Sequence, residues 1–172
     1  MKKSLLSLIL CTLAALPGIS QQTAATATPT YPYMSDKTLP DFNILEVDST
    51  TVFNTSSLPG GRPIILMYFS PDCEHCQHMT EDILKDMDSL KDVRFVMLTV
   101  LPFDKMRNFY QYYKLGNYKN IIMGRDYQFF FPAHYGTSYV PYIAIYDRHK
   151  KLVKTFDGNA KVSTLIQLVN EN

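Results

Sequence analysis

The chain has 172 residues, and its 17 lysines and arginines against 16 aspartates and glutamates leave a formal net charge of +1. That balance, with no basic cluster interleaved with aromatics, gives no electrostatic case for nucleic acid or an anionic membrane surface, and no nucleic-acid partner is expected. The aromatic fraction of 13%, mostly Tyr and Phe after residue 103, reads as packing rather than a binding surface.

The N-terminus reads as an export address. Met1-Lys2-Lys3 is basic, and residues 5–16 form an apolar stretch of signal-peptide length, short for a membrane span. Pro17-Gly18-Ile19-Ser20 puts small residues at both positions a signal peptidase reads, so cleavage is expected after Ser20. Anchoring as a lipoprotein through Cys11 is the rival. Leu10 stands where a lipobox wants a small residue, and the apolar stretch runs on past Cys11, so simple export to the periplasm is preferred. The mature chain then keeps only Cys73 and Cys76, which fits a compartment where disulfides persist. No second apolar stretch is long enough to span a membrane after signal removal. The expected layout is a signal peptide at 1–20, a Thr/Ala/Pro/Gln-rich flexible leader at 21–38, and one domain at 39–172.

The domain opens at Leu39-Pro40-Asp41-Phe42-Asn43-Ile44, and Leu58-Pro59-Gly60-Gly61-Arg62 is a turn. Residues 63–69 are apolar apart from the Tyr68 hydroxyl, which suits a central parallel strand covered on both faces. Ser70-Pro71-Asp72 supplies a turn, with Asp72 the expected helix N-cap. Cys76, Met79, Ile83, Met87 and Leu90 recur every three or four residues and predict a helix with one inward stripe. Cys76 lies on that stripe, and Cys73 precedes it at the helix mouth. Residues 93–101 read as a second buried strand. The spacing of Phe103, Met106, Tyr110 and Tyr113 predicts a helix closed by Gly116-Asn117. Residues 121–123 read as a short strand or a loop, and 129–135 as a short helix. Residues 142–146 and 152–156 form a hairpin around Asp147-Arg148-His149-Lys150. Val162, Leu165, Ile166 and Val169 make a closing helix. The order is that of an α/β sheet with one antiparallel hairpin.

Strand, Cys73-Glu74-His75-Cys76, helix is the arrangement that makes one thiol reactive and sets a second to resolve it. The thiolate is the nucleophile, and helix N–H groups and dipole stabilise it. Protonated His75 adds to that stabilisation, whereas Asp72 and Glu74 oppose it. Two acids against one histidine lean the pair towards the reducing direction. A purely stabilising disulfide is the bland alternative, but so short a loop removes little chain entropy.

Taken together these segments resemble the TlpA-like extracytoplasmic thiol-disulfide oxidoreductases of the thioredoxin-like fold. Leu39-Pro40-Asp41-Phe42 resembles their opening. Phe69-Ser70-Pro71-Asp72-Cys73-Glu74-His75-Cys76 stands where they carry strand end and CxxC. Tyr135-Gly136-Thr137-Ser138-Tyr139-Val140-Pro141 is similar to the segment with their cis-proline, and Asp147 with Lys151-Leu152-Val153 resembles their hairpin. The resemblance implies a central mixed sheet flanked by helices, with a C-terminal antiparallel hairpin and closing helix. It implies that Cys73 and Cys76 are catalytic, and that Val140 and Pro141 offer a client segment a backbone edge beside them. His75 matches the residue before the second cysteine in oxidising and isomerising relatives. The implied partners are client protein cysteines and an electron donor or acceptor redoxin, with no cofactor or resident metal and a monomeric state. The chain departs from thioredoxins at Asp72, where they have Trp, at Met67, where they bury Asp, and at Tyr142, where Thr follows the proline.

Two rivals use the same residues. A copper-binding or copper-delivery protein of this fold uses two cysteines and a distant histidine, for which His134 is the candidate, but with CxxxC spacing; a structural zinc site lacks a second cysteine pair. A peroxide-reducing relative fits Ser70 but fails at Met67.

Overall fold

The structure, a computed structural model, describes residues 30–172. The expected signal sequence at 1–20, Cys11 within it, and the leader as far as residue 29 lie outside the described residues. Among those described, no helix is long and apolar enough to cross a membrane.

In chain order the elements are α1 (Pro32–Ser35), β1 (Asn43–Glu46), β2 (Val52–Asn54), β3 (Ile64–Tyr68), α2 (Glu74–Lys85), β4 (Arg94–Thr99), α3 (Phe103–Tyr112), β5 (Ile121–Arg125), α4 (Phe130–Tyr135), β6 (Tyr142–Tyr146), β7 (Leu152–Asp157) and α5 (Val162–Glu171). They build one seven-stranded sheet in the order β2-β1-β5-β4-β3-β6-β7. β3, β4 and β5 run parallel, and the remaining pairings are antiparallel.

The central strands bury both faces by simple alternation. Ile65, Met67 and Phe69 of the β3 segment join Phe95, Met97, Ile143 and Ile145 on one face, under α2, α3 and α5. Ile64 and Leu66 join Val96, Leu98, Tyr142, Ala144 and Tyr146 on the other, under α4. Residues 121–123, open between strand and loop in the sequence, belong to β5, which links the β1–β2 hairpin to the centre of the sheet. That hairpin carries no clean alternation. It is held by Asp48, whose carboxylate accepts from the Thr50 and Thr51 N–H groups at 2.9 and 2.8 Å.

Ordered packing starts ahead of Leu39. Thr38 bridges Lys151, and the Leu152 N–H donates to the Lys37 carbonyl at 2.7 Å. Tyr33 of α1 lies 5.4 Å from the Tyr135 ring. Gly136 ends α4 in the left-handed region at φ 63, and a side chain there would run into the Tyr31 ring.

α4 is set by Asp126, fully buried just past β5. Its N–H donates to the Thr99 carbonyl, and its carboxylate accepts from the Phe130 and Phe131 N–H groups at 3.0 and 2.8 Å. Phe131 then stacks on Tyr68 at the end of β3, with ring centroids 5.2 Å apart. Asp126→Ala strands two N–H groups and is expected to cost about 2 kcal/mol of unfolding free energy in urea titration, with Asp126→Asn losing less. An Ala variant as stable as the parent would contradict this account of α4.

Candidate functional site

β3 delivers the chain to the rim of the sheet. Beyond Tyr68 the Phe69 N–H still donates to the Leu98 carbonyl, and the chain then turns, with the Cys73 N–H donating to the Ser70 carbonyl at 3.1 Å. The Gln77 side-chain amide holds that turn through the Pro71 carbonyl at 2.9 Å. The Cys76 and Gln77 N–H groups both donate to the Cys73 carbonyl at 3.0 Å, which starts α2.

Here one expectation is corrected. The N-cap of α2 is Cys73 itself, in extended backbone (φ −93, ψ 117) and without a side-chain cap bond. Asp72 lies one residue too early to cap. Its carboxylate points instead to the Lys105 ammonium of α3 and forms an ion pair with it. Cys73 therefore occupies the N-cap position at the positive end of the helix dipole, with no side-chain bond to the first-turn N–H groups.

The two cysteines are free thiols in unlike surroundings. Cys73 is half-buried, and its Sγ donates to the Val140 carbonyl at 3.6 Å. Cys76 is fully buried among the residues of the α2-side core, Met67, Phe69 and Met79 with it. Burial pushes the Cys76 thiol well up from its ordinary range, and the adjacent Cys73 thiol adds to that while the Ser70 backbone opposes it. The position where thioredoxins bury a carboxylate is taken by Met67, wholly enclosed.

The third component comes from the other end of the domain. The Val140–Pro141 peptide is cis. The Tyr139 N–H donates to the Asp157 carboxylate at 3.1 Å, and the Pro141 carbonyl accepts from Gly158 at 2.9 Å. Pro141 leads into β6, whose Tyr142 sits opposite Tyr68 of β3. A shallow groove of about 280 Å³ runs beside this segment, lined by Tyr68, Tyr139 and Val140 among others. Cys73, Cys76, Val140 and Pro141 are thus gathered at one place.

His75 is close in sequence but points outwards: it is exposed, with Nδ1 3.2 Å from the Asn159 amide nitrogen. His134 is the distant histidine of the copper reading. It lies on α4, stacked on Phe130 with centroids 5.2 Å apart, and its buried Nε2 has no hydrogen-bond partner among the described residues. Burial moves its pKa down. Among the described residues, no three His, Cys, Asp or Glu side chains are grouped to hold a metal ion. Glu81 of α2 accepts from the Tyr113 hydroxyl at 3.5 Å. The residue that sequence reasoning misses is Lys105, which lies 33 positions from its partner. The available signal is only that its helix starts just after β4, at the rim where β3 ends.

A family model described as a thioredoxin-like domain matches residues 56–171. No match was found among curated proteins. Solved structures do match. DsbF of MTB, in mixed oxidized and reduced forms, is 24% identical with a TM-score of 0.64, covering 76% of this chain and 93% of that one. A secreted Mycobacterium tuberculosis disulfide oxidoreductase homologous to E. coli DsbE is 18% identical with a TM-score of 0.64, covering 76% of this chain and 96% of that one. The exposed lipoprotein thioredoxin of Streptococcus pneumoniae is 25% identical with a TM-score of 0.57, covering 77% of this chain and 100% of that one.

The unlike burial of the two thiols has a direct readout in alkylation by iodoacetamide followed by peptide mapping. In the reduced protein the half-buried Cys73 is modified. Cys76 stays unmodified up to about pH 9, because burial keeps it protonated and covered. The sign for stability is the same: protonated Cys76 suits the fold, so the reduced protein loses stability relative to Cys76→Ser as pH rises beyond about 9. Equal modification of both cysteines at neutral pH would contradict this geometry.

Proposed function

This chain belongs to the thioredoxin-like domain family, and on that premise we propose that it is an exported thiol-disulfide oxidoreductase acting on protein clients through Cys73 and Cys76. The observation that carries the reading is the pairing of a half-buried Cys73 at a helix N-cap with a fully buried Cys76 behind it. A thiol pair built only for stability has no need of one accessible member.

In the proposed reaction the Cys73 thiolate attacks a client disulfide. A Cys73–client mixed disulfide forms, and the other client sulfur leaves as thiolate. Cys76 then attacks Cys73 and gives up its proton. A Cys73–Cys76 disulfide forms, and the second client sulfur leaves as a thiol. The client gains two electrons and the pair loses them; the same steps reversed oxidise a client dithiol. Met67 shares the core with Cys76 where thioredoxins bury a carboxylate, so the departing client sulfur or water receives the Cys76 proton. The Val140 carbonyl and the groove beside it give an extended client segment a backbone partner next to Cys73. His75, exposed one position before Cys76, is in reach of the client rather than of the core.

The reaction runs in the reducing direction, supplied by an electron-donor redoxin, with Glu74 in the first turn of α2 disfavouring the Cys73 thiolate while the Asp72 charge is engaged by Lys105. Export through residues 1–20 places the protein where client disulfides persist. Two structural relatives are described as secreted or as an exposed lipoprotein.

Insulin-type disulfide reduction tests the assignment. Cys73→Ser should fall to the uncatalysed rate, whereas Cys76→Ser should lose turnover yet accumulate mixed disulfides with clients on a non-reducing gel. A Cys73→Ser protein that retains turnover would overturn it.

A further inference from the structure

We propose that Lys105 is a positioning residue for the nucleophile: reaching across from α3, its ammonium holds the Asp72 carboxylate and offsets the negative charge nearest in sequence to Cys73. The inference rests on the reading of Cys73 as the attacking thiol.

The geometry comes from two helices that start at the same rim. β4 ends at Thr99, and α3 begins at Phe103 close to where β3 turns into the CxxC. Phe109 of α3 packs against Phe69 with ring centroids 4.7 Å apart, which fixes α3 against the segment leading to Cys73. Lys105, one turn nearer the rim than Phe109, then meets Asp72. The bond to Asp72 draws the Lys105 pKa upwards. Lys105 and Asp72 also line a groove of about 360 Å³ between α2 and α3, together with Gln77 and Glu81.

Both partners are about half exposed, at 46% and 56%. A pair this wet adds little to stability. Its consequence is local. An unpaired carboxylate beside Cys73 disfavours the thiolate, and a paired one does so less. The other groups around Cys73 are Glu74, His75 and Cys76 on its own helix, Asp104 beside Lys105 on α3, and Tyr68 of β3. Asp157 is engaged with the Tyr139 N–H, and Lys161 faces His75 across a separate groove. Of these, Lys105 is the cation in contact with an acid adjacent to the nucleophile. The local charge count is therefore less acidic than the two carboxylates and one histidine of the motif indicate.

The test is the pH profile of Cys73 alkylation in the reduced full chain, read by peptide mapping so that Cys11 and Cys76 are counted apart. Lys105→Met should move the midpoint up by about half a unit, which lowers the reactive fraction about threefold below the midpoint. Lys105→Arg should restore the parent profile. Asp72→Asn should move the midpoint down, and in that background Lys105→Met should have much less effect. An unchanged midpoint in Lys105→Met, or the same shift with and without Asp72, would overturn the proposal. The profile is read without any client disulfide, so it stands or falls separately from the insulin assay.

Discussion

The antiparallel pairing of β3 with β6, Tyr68 opposite Tyr142, is the constraint on which the site depends. It brings together two stretches of chain, because the residue that follows β3 into the helix and the residue that precedes β6 are 67 positions apart. No local rule puts Cys73 beside Val140; the sheet register does. A slip of one residue would exchange the two faces of β6 and put Tyr142, Ala144 and Tyr146 into the core that holds Cys76. The packing of β6 therefore specifies the position of the groove as well as the stability of the strand.

The second constraint is the stripe of α2. Cys76, Met79 and Ile83 are fully enclosed, which fixes the helix rotation and leaves Cys73 at the rim. One thiol then sits half-buried at the helix N-cap, and the other where burial keeps its proton. Such a division suits a pair in which one sulfur meets the client and the other waits until a mixed disulfide is formed. Met67 is enclosed at the position where thioredoxins bury a carboxylate, and in the proposed reaction the client or water therefore takes the Cys76 proton.

Periodicity made most of this legible. The α2 stripe, the apolar run of β3 and the β6–β7 hairpin about Asp147 can be read from spacing and residue type, whereas the X-Pro before β6 comes from the family resemblance. The closing helix can be read from spacing too, and its Val162, Leu165 and Val169 are buried. The β1–β2 hairpin was not legible, because its strands are short and only partly buried and its turn is made by side chain to backbone bonds at Asp48. The role of Asp72 was misread for a related reason. A Ser-Pro-Asp sequence before a helix signals an N-cap, but the turn consumes one more residue and Cys73 takes that position. The roles of Asp126 and Lys105 are not legible from periodicity. Lys105 pairs with a residue 33 positions away, and Asp126 caps α4 from ahead of the Phe129 turn, so neither shows in the periodicity of its own element.

The central claim, that these two sulfurs interconvert between a bonded and a free state, is tested most directly by equilibrating the full chain with graded dithiol–disulfide buffers and mapping the alkylated peptides. The account predicts one two-electron transition, in which Cys73 and Cys76 lose reactivity together and are recovered as a single intramolecular disulfide. Thiols that stay free across the whole range, or disulfides that form only between chains, would contradict it.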